Sequence, residues 1–162
     1  MHNSIVKQAI REVDPLNEAD TVGVAARRVI EANLPALPVT DGAGGFVGIF
    51  GEREFMAALF PGYLRELASA RMVRRSIDET IQRRVECSRE PVAAYLTTDH
   101  VVVDEDYSDT QLAEIFLHHR VLIVPIATRG RVRAVVTRSD FFSALVERFA
   151  RAAGTRPPEV SP

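Results

Sequence analysis

Apolar residues recur at helical spacing in some stretches and gather into short strand-like runs in others, and the order of these stretches occurs twice. After Asp20 and Thr21, the residues Val22, Ala25, Ala26, Val29 and Ile30 mark one face of a helix, with Thr21 placed to cap it. A strand is predicted over 36–39. Asp41-Gly42-Ala43-Gly44-Gly45 then turns the chain into a second strand over 46–50. A helix from about 52 to 60 ends at Pro61-Gly62. In the second half, Ser108 caps a helix showing Leu112, Ile115, Phe116 and His119 on one face, and Gln111 completes a capping box. A strand over 122–126, a turn at Arg129-Gly130, a strand over 132–136 and a helix over about 139–153 follow. The last helix is expected to bury Phe142, Leu145, Val146 and Phe149.

The two halves align residue by residue. Pro38 falls 87 positions before Pro125, and Gly51 falls 86 before Thr137, a one-residue difference that the hairpin loop absorbs. An extended piece precedes the first helix of each copy, at 11–14 and at 101–104, and short helices at about 4–10 and 91–96 lead in. The unit is therefore strand, helix, strand, strand, helix. Neither copy could bury its apolar faces well alone, so the two are expected to pack as a pair. The predicted organisation is α/β (α+β): a first repeat over 1–60, a helical insertion over 61–90, a second repeat over 91–153 and a mobile tail over 154–162. In the insertion, Leu64, Leu67, Ile77, Ile81 and Val85 are expected to face protein. Its arginines (Arg71, Arg74, Arg75, Arg83, Arg84 and Arg89) interleave with Glu66, Asp78, Glu79 and Glu86, which predicts a solvated, salt-bridged helix.

Composition narrows the class. The chain has 162 residues, 20 basic against 22 acidic, and so no basic excess to replace the counterions of a nucleic acid. Its single cysteine, Cys87, rules out an intramolecular disulfide, fits a reducing compartment and is expected to be inert. The N-terminus lacks the apolar stretch of a signal peptide, and no apolar run approaches a bilayer span. A cytoplasmic protein without membrane or nucleic-acid partners is expected. There is no phosphate-binding Gly-rich loop followed by Lys-Ser/Thr, no GxSxG and no HExxH, so no enzyme is expected. His100, His118 and His119 have no zinc-like spacing, and no metal is expected.

The run Val132-Arg133-Ala134-Val135-Val136-Thr137-Arg138-Ser139-Asp140-Phe141-Phe142 resembles the signature of the cystathionine-β-synthase (CBS) domain. In that signature a strand ends in apolar residues and Thr, with Asp opening the next helix. Val124-Pro125-Ile126 matches the family's apolar-Pro-Val step, and Leu37-Pro38-Val39 and Phe46-Val47-Gly48-Ile49 repeat the frame in the first copy. The resemblance covers roughly residues 5–149. It implies a tandem CBS pair, commonly a homodimer. Such a pair binds an adenosine compound (AMP, ADP, ATP, S-adenosylmethionine or a dinucleotide) in clefts between the copies and acts on a separate effector protein. No other cofactor is implied.

A carboxylate can accept both vicinal hydroxyls of a ribose, and a Thr hydroxyl three residues earlier can join it. Thr137 and Asp140 stand at these positions, with Ser139 between them at a helix start whose N–H groups favour a phosphate. Thr-x-x-Asp is equally the spacing of a helix cap, which needs no ligand, and the two roles can coexist. The resemblance assigns the adenine to Thr98, His100, Val101, Ile123 and Pro125, while Arg120 and Arg138 are candidate phosphate contacts. In the first copy Gly51 and Glu54 replace Thr and Asp, so that site is expected to be degenerate. The competing expectation is a dimerisation or protein-interaction module whose cleft stays empty. Phe141, on another face from Phe142, is expected at or near the homodimer interface.

Overall fold

The structure is a computed structural model that describes residues 4–60 and 76–154. It is a mixed α/β fold with both repeats. Thr21 caps α2 (Val22–Ala32) by accepting the Val24 N–H, and Asn33 closes that helix in the left-handed region. The hairpin of β3 (Ala36–Thr40) and β4 (Phe46–Gly51) follows, and then α3 (Glu52–Leu59). The side chain of Asp41 accepts the N–H groups of Ala43 and Gly45 and so folds its own turn. In the second repeat Ser108 caps α5 (Asp109–His118) by accepting the Gln111 N–H. β6 (Ile123–Thr128) and β7 (Arg131–Thr137) form the second hairpin, and α6 (Arg138–Ala152) closes the repeat. Arg129 and Gly130, at φ 53° and 75°, make the two-residue turn between β6 and β7 that suits the twist of a hairpin.

The opening strands differ from the sequence-based expectation in the first repeat. They are β2 (Leu16–Asn17) and β5 (Val103–Asp104), each parallel to the strand after its helix, with Leu16 opposite Val39 and Val103 opposite Ile126. Their separation is 87 residues, the same as that of Pro38 and Pro125. The piece expected over 11–14 belongs elsewhere. It contributes to β1 (Ile10–Glu12), which runs antiparallel to β7 with Ile10 opposite Val136. The decisive difference is burial, since Leu16 is an anchor without exposure whereas β1 alternates between exposed and half-buried.

Contacts divide the chain into two compact units, residues 1–14 with 101–162 and residues 15–100. In the second-repeat unit the sheet order is β1-β7-β6-β5. Its core gathers Ile5, Val6 and Ala9 of α1 (Ile5–Ala9) with Leu112, Val124, Val136, Phe141 and Ala144. The rings of Phe116 and Phe141 meet at 5.5 Å between centroids. Asp109 fastens the distant N-terminus by accepting the Ser4 hydroxyl at 2.7 Å and the N–H groups of Ile5 and Val6 at 2.9 and 3.1 Å. Burial would raise the Asp109 pKa, but these three bonds and the charge of Arg148 together hold it below the usual carboxylate value.

In the first-repeat unit the order is β2-β3-β4, and Thr97 bridges to the free side of β4 through paired bonds with Ile49 at 3.0 and 3.1 Å. Ile10 lies 87 residues before Thr97 and Val136 lies 87 residues after Ile49, so each lead-in pairs with the second hairpin strand of its own unit in the corresponding place.

Two burial expectations are corrected. In α6, Phe141 is 3% exposed and packs inward with Ala144 and Ala150, while Phe142, Leu145 and Phe149 are exposed and Val146 is half-buried. The close approach of α1 and the sheet admits one phenylalanine flanked by alanines, and this puts the bulkier stripe outside. In the insertion, α4 (Ile77–Arg84) is a helix capped by Ser76, and Ile77, Ile81 and Val85 are exposed. Arg84 makes the inward contacts there, to the Ala58 carbonyl at 3.0 Å and the Tyr95 hydroxyl at 3.0 Å. Arg89 pairs with Glu86 in the following 3-10 helix (Val85–Arg89), where Cys87 is buried. Leu64, Leu67, Glu66, Arg71, Arg74 and Arg75 lie outside the described residues.

Candidate functional site

At the end of β7 the chain turns straight into α6, and Thr137 stands at the junction. It is buried, and its hydroxyl accepts the Asp140 N–H at 2.9 Å, so the capping role is realised. The next strand positions Ile123 directly opposite Thr137 and Pro125 opposite Val135, both buried. The Arg138 N–H donates to the Leu122 carbonyl, which fixes the helix start to the strand entry. Arg138 and Ser139 are exposed, as is Arg120.

The carboxylate of Asp140 is engaged by a residue that sequence reasoning missed. Arg11, on β1, donates from Nε to Oδ2 at 2.7 Å and from Nη2 to Oδ1 at 2.9 Å. This is the bidentate fork by which a guanidinium grips a carboxylate. The side chains are 40% and 25% exposed. Burial pushes the Asp140 pKa up, but the bonds from Arg11 and Thr137 and the charge of Arg11 outweigh it and hold the group below its ordinary value. The Arg11 pKa is raised, chiefly by the same hydrogen bond. A signal for Arg11 did exist. Thr98, singled out as an adenine contact, lies 87 residues after Arg11, so the repeat offset leads from one to the other.

The remaining candidates fall in two places. Val101 lines an open hollow of about 430 Å³ with Gln111, Glu114, Ile115, His118 and His119. Thr98 and His100 belong to the first-repeat unit, Thr98 exposed and His100 half-buried. There the counterpart of Asp140 is Glu54, which is 5% exposed. Desolvation raises its pKa, against the opposing effects of Arg53, the backbone N–H groups of the helix start and the Thr97 hydroxyl. Gly51 replaces Thr137 for a steric reason. A Cβ there would lie 2.2 Å from the Pro35 carbonyl oxygen and 2.4 Å from Ala36. The Glu52 N–H donates to that same carbonyl at 3.0 Å, which holds the strand entry too close for any side chain.

Among the described residues no cluster of three or more His, Cys, Asp or Glu could hold a metal ion. No described helix is long and apolar enough to cross a membrane.

Known proteins share this fold. An uncharacterised protein of Methanocaldococcus jannaschii is 24% identical over 143 residues, which cover 88% of this chain, and the chain spans only 32% of that protein's length. The CBS domain of a CBS domain containing membrane protein from Sphaerobacter thermophilus superposes with a TM-score of 0.66 at 23% identity, covering 87% of this chain and 86% of that one. The structure of CBSX2 in complex with AMP superposes with a TM-score of 0.60 at 17% identity, covering 85% and 90%. The family profile of the CBS domain matches residues 6–61 and again 92–147. With two matched repeats, each built as strand, helix, strand, strand and helix, the chain belongs to the CBS domain family.

Proposed function

We propose that the chain is a regulatory module whose second repeat binds an adenosine ligand (AMP, ADP or ATP) and signals its occupancy to a separate effector protein in the cytoplasm. The observation that carries this is the junction of β7 and α6. There a buried Thr137 fixes the start of the helix and sets an ionised carboxylate, Asp140, one turn along it. An ionised carboxylate can accept both hydroxyls of a ribose, and the N–H groups at the start of α6 suit a phosphate. The AMP complex of CBSX2 adds support from a protein of the same fold. Tandem CBS modules are in general regulatory, and no enzymatic family is matched. The module acts as a homodimer through the exposed apolar stripe Phe142, Leu145 and Phe149 of α6.

The deciding experiment is a thermal-shift series with AMP, ADP, ATP, S-adenosylmethionine and NAD. A ligand at a hundredfold excess over its Kd should add about 2.7 kcal/mol to stability. In the Asp140→Ala variant, measured below its melting temperature, affinity should fall at least about tenfold. The 2′-deoxy form of the ligand should bind the unaltered chain more weakly and lose little further on that substitution. No stabilisation by any of the five would leave the second reading, an interaction module that binds no nucleotide. Two observations favour that alternative: Arg11 occupies both oxygens of Asp140, and the first repeat has Gly51 with a buried Glu54.

A further inference from the structure

We propose, resting on the nucleotide reading above, that Arg11 is an internal competitor for the ribose clamp and keeps the second-repeat site closed until a ligand displaces it. The two Asp140 oxygens that would accept the ribose hydroxyls are the two that accept Nε and Nη2 of Arg11, at 2.7 and 2.9 Å. A vicinal diol and a guanidinium present the same kind of donor pair, so Arg11 takes the bidentate face of the carboxylate on which a diol would also dock, and the two compete for it. The backbone of Asp140 is fixed beside Arg11, because it sits in the first turn of α6 with its N–H bound to Thr137.

Arg11 is tethered so that it always stands within reach. Its strand is registered on β7 at Ile10, Arg11 and Glu12, and the Val13 N–H continues the ladder to the Arg133 carbonyl. A tethered competitor acts at a high effective concentration. It can nevertheless leave, because its side chain is 40% exposed, so that water can take up its donors when a ligand takes the carboxylate. The device belongs to this repeat alone. The position 87 residues after Arg11 is the uncharged Thr98, and the acid of that unit, Glu54, is buried. Closure by Arg11 therefore lowers the affinity of one site and makes its occupancy depend on salt and on whatever moves β1.

Isothermal titration with AMP and 2′-deoxy-AMP, on the unaltered chain and on Arg11→Met, Arg11→Lys and Asp140→Asn, tests the proposal. Arg11→Met should bind AMP about two- to fivefold more tightly, the factor expected from removing an exposed pair. Arg11→Lys, whose ammonium cannot span both oxygens, should fall between, and 2′-deoxy-AMP should gain less than AMP. Melting curves identify a temperature at which each variant is folded, and Arg11→Lys gives the same reading should Arg11→Met be unstable. Binding detected only in Arg11→Met would be the strongest support. If the unaltered chain binds AMP in a manner that Asp140→Asn abolishes, while Arg11→Met binds equally or less well, the competitor is refuted and the clamp stands. If neither the unaltered chain nor Arg11→Met binds AMP, both the competitor and the nucleotide reading fall.

Discussion

Glu54 and Asp140 occupy matching places in the two repeats, and their surroundings push their proton affinities in opposite directions. The folded-state pKa of Glu54 lies above its ordinary value. Its contribution to stability is therefore complete at pH values below that ordinary value and is lost as pH rises through the raised one. Glu54→Gln carries no proton to lose. It should raise the melting temperature relative to the unaltered chain at pH 7–8, with the gain vanishing near pH 4. Parallel melting curves across that range would refute this assignment. Asp140 has the reverse sign, because its depressed pKa gives stability that is present above the ordinary carboxylate value and is lost as pH falls through the depressed one. Asp140→Asn should therefore cost most at neutral pH and progressively less in acid. Gly51 adds a steric test. Gly51→Thr copies the second repeat but forces a Cβ to 2.2 Å from the Pro35 carbonyl oxygen, and should destabilise by at least about 2 kcal/mol in urea titrations. At this scale residue type and spacing revealed the Thr137 cap and the acid that follows it, and the replacement of this pair by Gly51 and Glu54 in the first repeat. Arg11 was marked only by the repeat offset from Thr98, because the carboxylate it grips lies 129 residues away and no local pattern joins the pair.

Helix α6 carries apolar residues on two faces, and packing decides which face is covered. Phe141, at 3% exposure against Phe116, should lose about 3–5 kcal/mol on substitution by Ala. Phe142 and Phe149, at 64% and 76% exposure, contribute nothing comparable within the chain. The double variant Phe142→Glu, Phe149→Glu should keep its melting temperature in dilute solution and, by light scattering at micromolar concentration, should have the mass of a monomer, and the unaltered chain that of a dimer. A dimer in both would refute α6 as the interface. The helix itself, its Thr137 cap and its length were readable from periodicity. The inward face was not, because the helical repeat locates stripes and does not rank them. The larger stripe drew the prediction, whereas the space beside α1 selected Phe141, Ala144 and Ala150. The same holds for α4, where Ile77 and Ile81 face solvent and Arg84 reaches inward through hydrogen bonds.

Across the whole molecule, residues that stand first in the chain belong with those that stand last. Removing residues 1–13 would strip β1 from β7, α1 from α6 and all three donors from Asp109. By hydrogen exchange the truncated chain should lose protection over 103–152 while α2, β3 and β4 keep theirs, although the deletion lies beside the first repeat in sequence. Loss over α2 to β4 instead would contradict the division into these units. The sequence by itself determined what depends on near neighbours. It settled the twofold recurrence of the unit, the caps at Thr21, Ser108 and Thr137, the hairpins, and the acid that follows each hairpin. Spacing and turn chemistry act over a few residues and leave their mark on composition. Tertiary structure alone decided that residues 10–12 pair with 134–136, that Asp109 caps a helix more than a hundred residues before it, and that Arg11 closes on Asp140. Those choices satisfy a free strand edge, unpaired N–H groups and a half-buried charge, and such needs arise only once distant parts of the chain have come together.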